Sequence, residues 1–190
     1  MDNSTQRLLE IILSKSLKYN AAQPFKLAAG GTSPYYFDLR QTTLDAEGMY
    51  LAGQIFFNLL ANSGIQAVGG VGVGAAPLVM STVLAGYRQG QHLQAFLVRK
   101  EVKDYGMQRP VEGNIQSGMR AVIVEDVLTT GNSALFAVEK ARAAGLDVQQ
   151  VLALLDREEG GLQALAQHSL DSRAIFTKTE ILCAYKNFCR

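Results

Sequence analysis

The stretch from Arg120 to Ala134 reads RAVIVEDVLTTGNSA, and it decides the fold. Its residues 121–124 form a short continuous apolar run, as a strand buried on both faces of a parallel sheet does. Apolar residues then recur at helical spacing from Leu135 to Ala141, before Gly145 supplies a typical helix end. The stretch therefore predicts a strand, a turn and a helix, which is the repeating unit of an α/β protein.

The predicted turn has the composition of a phosphate cradle. The helix that follows it offers unpaired N–H groups and a partial positive charge at its start. Gly131 permits close approach of the backbone, and the hydroxyls of Thr129, Thr130 and Ser133 can donate to phosphate oxygens. The turn therefore suits a phosphate group.

Two adjacent acids, Glu125 and Asp126, stand where the strand should end. Carboxylates cannot bind phosphate directly, but they suit the vicinal hydroxyls of a sugar or the waters around a divalent cation. A ribose 5-phosphate would satisfy the whole stretch. A strand and capped helix of some other α/β protein is the alternative, although capping explains one hydroxyl rather than three beside paired acids.

The chain after Gln66 alternates between strand and helix patterns. Strands are predicted near Ala67–Val71, Leu93–Val98, Ala121–Val124, Val148–Leu155 and Arg173–Phe176. Helices are predicted near Pro77–Tyr87, Ser133–Ala144 and Gly161–Gln167, and a closing helix begins at Thr177, where Glu180 completes a capping box. This alternation predicts a mainly parallel, doubly wound sheet with ligands beyond the carboxyl ends of its strands.

The N-terminal part of the chain follows another pattern. A first helix is capped by Asn3, and a second ends at Gly64 with an apolar face formed by Ala52, Ile55, Phe56, Leu59 and Leu60. Between these helices, residues 25–34 predict a short strand and a turn, and Tyr35–Arg40 predict a second strand rich in aromatic residues. We expect these two strands to form a small flap, or hood, over the ligand edge of the sheet.

Composition limits the classes of function. The 190 residues predict one domain, 1–190, and a net charge of +1 with a pI of about 7.7 gives no bulk field for nucleic acid or an anionic membrane. No apolar run reaches membrane-spanning length. Cys183 and Cys189 are interpreted as reduced thiols of a cytoplasmic protein, and the lone residues His92 and His168 do not suggest zinc.

Three further stretches are predicted at the ligand edge. Small residues from Gly70 to Pro77 allow backbone amides to approach a charged oxygen, or else serve tight helix–strand packing. Arg99–Gly118 is a long basic loop, suited to an anionic leaving group or to a solvated surface. Arg157 offers a planar fork for a substrate carboxylate or imide, or else belongs to a surface ion-pair cluster.

The acid-acid-x-x-Thr-Thr-Gly-x-Ser pattern of residues 125–133 resembles the signature of the type I phosphoribosyltransferases, which use 5-phosphoribosyl-1-diphosphate (PRPP). Three more stretches, Ser33–Arg40, Arg99–Gly106 and Asp156–Gly161, resemble the orotate-specific family within that class, in order and spacing. The resemblance implies the type I fold, with a hood of residues about 20–44 plus C-terminal pieces. It also implies transfer of the phosphoribosyl group from PRPP to N1 of orotate in de novo UMP synthesis, with Mg²⁺ as cofactor, by a homodimer with shared active sites.

Site residues carried over by the resemblance fall into three groups. The catalytic residues are Asp126 and Lys103. The residues that face orotate are Tyr36, Phe37, Thr129 and Arg157. The residues that bind PRPP are Val73, Gly74, Arg99, Lys100, Lys103, Tyr105, Glu125, Asp126, Val127, Leu128, Thr129, Thr130, Gly131, Asn132 and Ser133, with Arg99, Lys100 and Lys103 reaching pyrophosphate across the dimer interface.

This chain departs from the resemblance at three positions. Tyr105 stands where many members have His, Gly74 replaces a Lys of the pyrophosphate loop, and Ala28 aligns with a Lys of the hood strand. Lys26, two residues before Ala28 and so on the same strand face, is the substitute to consider. Two other functions stay open: a phosphoribosyltransferase for another base, and a non-catalytic regulator that binds PRPP or a nucleotide on the same fold.

Overall fold

The structure, a computed structural model, describes residues 1–26, 30–100 and 110–188, the side chains of the last two excepted. Its helices are α1 (Asn3–Ile11), α2 (Arg40–Thr43), α3 (Ala46–Leu60), α4 (Gly72–Arg88), α5 (Asn132–Ala143), α6 (Gly161–Gln167) and α7 (Lys178–Phe188), and a π-helical turn (Ile12–Ser16) follows α1. Its strands are β1 (Leu17–Tyr19), β2 (Phe25–Lys26), β3 (Thr32–Ser33), β4 (Tyr35–Phe37), β5 (Ala67–Val71), β6 (Gln94–Val98), β7 (Val111–Gly113), β8 (Arg120–Leu128), β9 (Asp147–Asp156) and β10 (Asp171–Thr177).

A six-stranded sheet in the order β10-β9-β8-β5-β6-β7 forms the centre of the molecule. Five of these strands are parallel, and β7 pairs antiparallel with the edge of β6. Because β6 lies on one side of β5 and β8 on the other, the strand order reverses at β5. Ligands of open α/β sheets bind at such a reversal, beyond the carboxyl ends of the strands. The predicted mainly parallel, doubly wound fold is confirmed.

The two faces of the sheet explain the apolar run of β8. Val122 and Val124 pack in one buried cluster with Phe56 of α3 and with α4, while Ile123 packs in a second cluster with α5. A side chain on either face therefore meets a helix layer, and a polar residue at positions 121–124 would be buried without water.

Close packing also accounts for part of the glycine-rich stretch. A Cβ at Gly70 would lie 2.5 Å from the Ala75 Cβ and 2.5 Å from the Val124 carbonyl oxygen. The tight helix–strand packing considered for this stretch is therefore present at Gly70.

The predicted start of the helix in the Gly70–Pro77 stretch is wrong. The helix was predicted to begin at Pro77, but α4 begins at Gly72 and carries Pro77 inside it. Proline favours a helix start and glycine disfavours a helix, so the pattern concealed the first turn.

Other helix ends also differ from the predictions. Asp2, rather than Asn3, caps α1, and its carboxylate accepts from the Thr5 amide at 2.7 Å. The second helix ends at Leu60 instead of Gly64, because Ala61 takes an extended ψ of 131°. The predicted capping box of α7 is confirmed, with the Thr177 amide donating to Glu180 at 2.7 Å.

Leu59 was expected on the buried face of the second helix, but it is exposed. The apolar stripe of α3 instead continues through Phe57, which is 2% exposed. Phe57, in place of Leu59, therefore joins Phe56 in the buried cluster.

The hood consists of two small antiparallel pairs, β1 with β4 and β2 with β3. The second hood strand was predicted to run to Arg40, which is wrong, because β4 ends at Phe37. Leu39 then adopts a helical conformation and is 1% exposed, so the chain turns inward and Arg40 starts α2. β1 was not predicted, since its three residues carry no pattern of their own.

The prediction of a continuous long loop from Arg99 to Gly118 is also wrong, because this stretch contains the strand β7. Val111 is 6% exposed and packs in the α5-side cluster, so a single apolar side chain anchors this edge strand. Within the described residues, no helix is long and apolar enough to span a membrane.

Candidate active site

A cavity of about 470 Å³ opens where β5 and β8 end, under the hood. Its walls come from the hood, from the first turn of α4 and from the end of β8 with the turn after it. It is lined by Lys26, Tyr36, Phe37, Asp38, Leu39, Arg40, Val71, Gly72, Val73, Gly74, Lys100, Glu125, Asp126, Val127, Thr129, Ser133 and Arg157.

Glu125 is buried in the wall of this cavity, with 5% of its surface exposed. Its Oε1 has no hydrogen-bond partner among the described residues. Burial, and then the neighbouring charge of Asp126, raise the pKa of Glu125 to about 8, although Ser133 and Lys100 act in the opposite direction. At neutral pH this carboxyl group is therefore mainly protonated until a ligand or cation stabilises its charge.

Asp126 is half-buried beside Glu125. Burial raises its pKa, while the amides of Val127 and of Asp126 itself and the guanidinium of Arg40 lower it. A Cβ at Gly74 would lie 2.4 to 2.6 Å from the three carboxyl-group atoms of Asp126. Because Gly74 has no side chain, the first turn of α4 can reach this carboxyl group.

The turn before α5 has the geometry of an anion site. Gly131 caps the helix with a φ of 86°, a conformation that favours glycine, and among the described residues no side-chain cap bonds to the first amides of α5. The side chains of Thr129 and Ser133 lie in the cavity wall on either side of this turn. Free amides, two hydroxyls and the helix dipole together suit a phosphate group.

Arg157 lines the cavity on the side of the hood aromatics Tyr36 and Phe37. Its Nη2 pairs with Glu159 Oε1 at 2.7 Å, and its Nε is buried without a partner among the described residues. A second cavity of about 330 Å³ shares these three lining residues, so this side of the site extends beneath the hood. A planar acceptor such as a carboxylate would satisfy the free Nε.

Glu158 fixes the loop that carries Arg157. It adopts a left-handed φ of 59°, and its amide donates to Asp156 at 2.9 Å. Its carboxylate accepts from the amide and the hydroxyl of Thr179 at 2.8 and 2.7 Å, which ties the loop to the start of α7.

Most of the predicted site residues meet in this one cavity. Those that line it are Tyr36, Phe37, Val73, Gly74, Lys100, Glu125, Asp126, Val127, Thr129, Ser133 and Arg157. Thr130 and Gly131 belong to the adjoining turn, Leu128 is buried in the α5-side cluster, and Asn132 borders a different cavity on the outside of α5.

The residues predicted in and near the basic loop lie in three different places. Lys100 lines the cavity of its own chain, although it was expected to act across an interface. Arg99 does not line the cavity, and pairs with Glu112 of β7 at 3.0 Å. Lys103 and Tyr105 lie outside the described residues, as does Ala28.

Five lining residues, Asp38, Leu39, Arg40, Val71 and Gly72, were not among the predicted site residues. Asp38 and Arg40 carry a signal that could have found them, because they are charged residues directly after the aromatic strand that was predicted to lie over the ligand edge. Lys26, considered only as a substitute for Ala28, also lines the cavity.

The strand order, the phosphate-type turn after β8 and the acidic pair define a phosphoribosyltransferase. The phosphoribosyltransferase of Corynebacterium diphtheriae matches the structure with a TM-score of 0.83 and 34% identity, over 95% of this chain and 99% of that one. The orotate phosphoribosyltransferase of Mycobacterium tuberculosis in complex with PRPP matches with a TM-score of 0.77 and 28% identity, over 95% and 93% of the two chains.

Sequence comparison specifies the family within this class. The orotate phosphoribosyltransferase of Aquifex aeolicus is 38% identical over 177 residues, which cover 93% of this chain and 97% of that relative. The chain belongs to the orotate phosphoribosyltransferase family and is an enzyme of this kind. No protein-family model matches the chain.

Proposed function

We propose that this enzyme transfers the phosphoribosyl group of PRPP to N1 of orotate, giving orotidine 5′-monophosphate and pyrophosphate in de novo UMP synthesis. One observation carries the proposal: two unpartnered buried polar atoms, Glu125 Oε1 and Arg157 Nε, belong to residues lining one cavity. The oxygen needs a hydroxyl group or a cation, and the N–H needs an anionic acceptor. A ribose diol and a carboxylate-bearing base would supply both.

The bound PRPP would extend from α5 to α4. Its 5-phosphate would lie on the amides before α5, beside Thr129 and Ser133. Its ribose diol would meet Glu125 and Asp126, and its pyrophosphate would face Gly74 and the ammonium group of Lys100. The related Mycobacterium tuberculosis enzyme in complex with PRPP supports this ligand for the cavity.

Orotate would lie under the hood. Tyr36 and Phe37 offer aromatic faces to a planar ring, and Arg157 offers its free Nε to the carboxylate. Thr129 lies at the junction between the base and ribose sides and can donate or accept one hydrogen bond.

Departure of pyrophosphate from C1 leaves positive charge on the ribose. Asp126 is placed to stabilise that charge electrostatically, because its carboxyl group is half-buried and fixed against Gly74. The hood excludes water from the cationic ribose and so protects it from hydrolysis. The reaction needs no protein nucleophile, since N1 of orotate attacks C1 as the bond from C1 to pyrophosphate breaks, and the N1 proton is released.

Mg²⁺ fits these residues as a cofactor that arrives with PRPP. Within residues 1–26, 30–100 and 110–188, no group of three or more His, Cys, Asp or Glu side chains forms a metal cage. Mg²⁺ commonly binds through one or two carboxylates together with substrate phosphates, and the free Oε1 of Glu125 is a suitable hard ligand. When bound, the ion neutralises charge on the pyrophosphate.

We also propose a homodimer with shared active sites. An apolar surface on α3 and α4 supports this assembly, because the exposed residues Tyr50, Met80 and Leu84 line a groove there. Lys103, from the basic stretch after β6, would then serve the partner's cavity. The cytoplasmic location expected from the two cysteines stays a prediction.

Loss of orotate absorbance in the presence of PRPP and Mg²⁺ tests the function. We expect turnover with orotate and none with purine bases. Turnover with another base but not orotate would indicate a different phosphoribosyltransferase. PRPP binding without turnover of any base would indicate a regulator on the same fold.

A further inference from the structure

We propose that Arg40 binds the diphosphate of PRPP in its own chain's cavity. This inference rests on the proposed function, and it adds a residue to the site. Arg40 lines the cavity together with Gly72, Val73 and Gly74, the wall assigned above to pyrophosphate. The hydrogen bond to Asp38 is the main cause of the raised pKa of Arg40, and the charge of Asp126 adds to it, so the guanidinium lies near the carboxyl group that Gly74 abuts.

One side of the Arg40 guanidinium is held by Asp38, and the other side is available to bind a ligand. Its Nε donates to Asp38 Oδ1 at 2.7 Å, the one hydrogen bond recorded for this side chain among the described residues. About half of the side chain, 52%, stays exposed. The Nη atoms are therefore free to donate two parallel hydrogen bonds, the geometry in which arginine recognises phosphate.

The backbone around Arg40 is anchored to the core. Leu39 is 1% exposed, the Asp38 amide donates to the Ser16 carbonyl at 2.9 Å, and the Thr42 and Ser16 hydroxyls bond at 2.7 Å. A cation carried by such an anchored backbone is positioned before the ligand arrives, so little conformational entropy is lost on binding.

The charge balance of the cavity favours an anion at Arg40. Lys100 interacts with Glu125, and Arg157 is paired with Glu159. Asp38 neutralises Arg40 in the empty cavity and keeps its own pKa low through this contact. A diphosphate brings more negative charge than Lys100 alone can balance. Lys26 also lines the cavity, but it lies on the hood strand β2, whereas Arg40 lies near Asp126, against which Gly74 packs.

A binding experiment separates this role from a general effect on the cavity. Arg40→Gln, Arg40→Lys and wild type are titrated calorimetrically, with Mg²⁺ present, against PRPP and against ribose 5-phosphate, which lacks the diphosphate. We expect Arg40→Gln to weaken PRPP at least about tenfold and ribose 5-phosphate less than about twofold. Arg40→Lys should recover part of the PRPP affinity, since it keeps the charge but not the fork.

A matched control uses the other arginine that pairs with an aspartate two residues before it. Arg173 bonds Asp171 at 3.1 Å outside the cavity, so Arg173→Gln should change neither affinity. Equal weakening of both ligands by Arg40→Gln, or no weakening, would overturn the proposal. Restored PRPP affinity in Asp38→Asn/Arg40→Gln would also overturn it, because Arg40 would then serve only to neutralise Asp38.

PRPP binding and orotate turnover test the role of Arg40 and the proposed reaction separately. A wild-type chain that binds PRPP through Arg40 but consumes no orotate would contradict the proposed reaction and leave the assignment of Arg40 intact. An Arg40→Gln variant that turns over orotate normally, with unchanged PRPP affinity, would contradict the assignment of Arg40 and leave the proposed reaction intact. A wild-type chain that binds neither PRPP nor ribose 5-phosphate would overturn both.

Discussion

Gly74 lies directly against the carboxyl group of Asp126: a Cβ at position 74 would be 2.4 Å from Oδ2 and 2.5 Å from Oδ1. The first turn of α4 thereby fixes one wall of the proposed ribose subsite. Since the nearest atoms belong to a half-buried carboxyl group, a side chain here has to displace Asp126 or shift the start of α4.

The first prediction is that Gly74→Ala lowers kcat at least about tenfold, an increase of 1.4 kcal/mol in the activation free energy. The added methyl group moves the Asp126 carboxyl group from the position where ribose charge develops. Steady-state kinetics would be measured for Gly74→Ala, Asp126→Asn and the double variant. If the methyl group acts through Asp126, the double variant should be no slower than Asp126→Asn; additive losses would contradict this explanation.

The second prediction concerns Glu125 and pH. Its folded-state pKa of about 8 lies above the ordinary value of 4.5, so the native protein binds an extra proton between these pH values. The free energy of unfolding therefore falls as pH rises through this window. Glu125→Gln keeps the side chain neutral and should remove this pH dependence.

Thermal unfolding without ligand or Mg²⁺ tests that prediction. At pH 9, Glu125→Gln should unfold at least about 3 °C above wild type, which corresponds to roughly 1 kcal/mol for a chain of this size. At pH 5 the difference should be much smaller, because Glu125 is then protonated in the native state. An equal difference at both pH values would mean that Glu125 ionisation does not cause the effect.

The sequence predicted the sheet well because β8 carries two independent signals. Its apolar run indicates burial on both faces, and its acids and hydroxyls indicate a ligand at its carboxyl end. The same reasoning located Arg157 after β9, because parallel strands end at one edge. The fold class followed from these patterns, and the family and reaction followed from the resemblance of residues 125–133 and three further stretches, whereas the individual residue roles stay predictions.

The parts that were wrong depend on tertiary packing. Burial of Leu39 ends β4 and turns the chain into α2, and a local aromatic pattern cannot indicate that turn. As a result Arg40 was placed in a strand and missed as a site residue. The start of α4 was missed for a similar reason, since the close approach of Gly70 to Ala75 and Val124 and of Gly74 to Asp126 positions a turn that glycine disfavours.

The third prediction concerns base recognition by Arg157. Arg157→Lys keeps the charge but loses the planar fork and the buried Nε donor. The orotate KM should rise at least about tenfold, roughly 1.4 kcal/mol, while PRPP affinity changes little. Arg173→Lys is the matched control on the surface. Unchanged orotate kinetics in Arg157→Lys would remove this residue from the base subsite.

The fourth prediction tests the shared active site. Lys103 lies outside the described residues, and its role across the interface rests on the resemblance alone. In a two-fold dimer of that kind, Asp126 and Lys103 of one subunit belong to two different sites. Asp126→Asn and Lys103→Ala would be prepared separately, and each should be nearly inactive by itself.

Mixing the two variants should restore activity. In a mixed dimer one site carries both lesions, while the other has a native Asp126 from its own chain and a native Lys103 from its partner. Random re-association of equal amounts makes half of the dimers mixed, so about a quarter of wild-type activity should return. Subunit exchange would be verified with differently tagged chains. Exchange without recovered activity would show that Lys103 acts within its own subunit, because only an interchain contribution can complete a site that neither variant possesses alone.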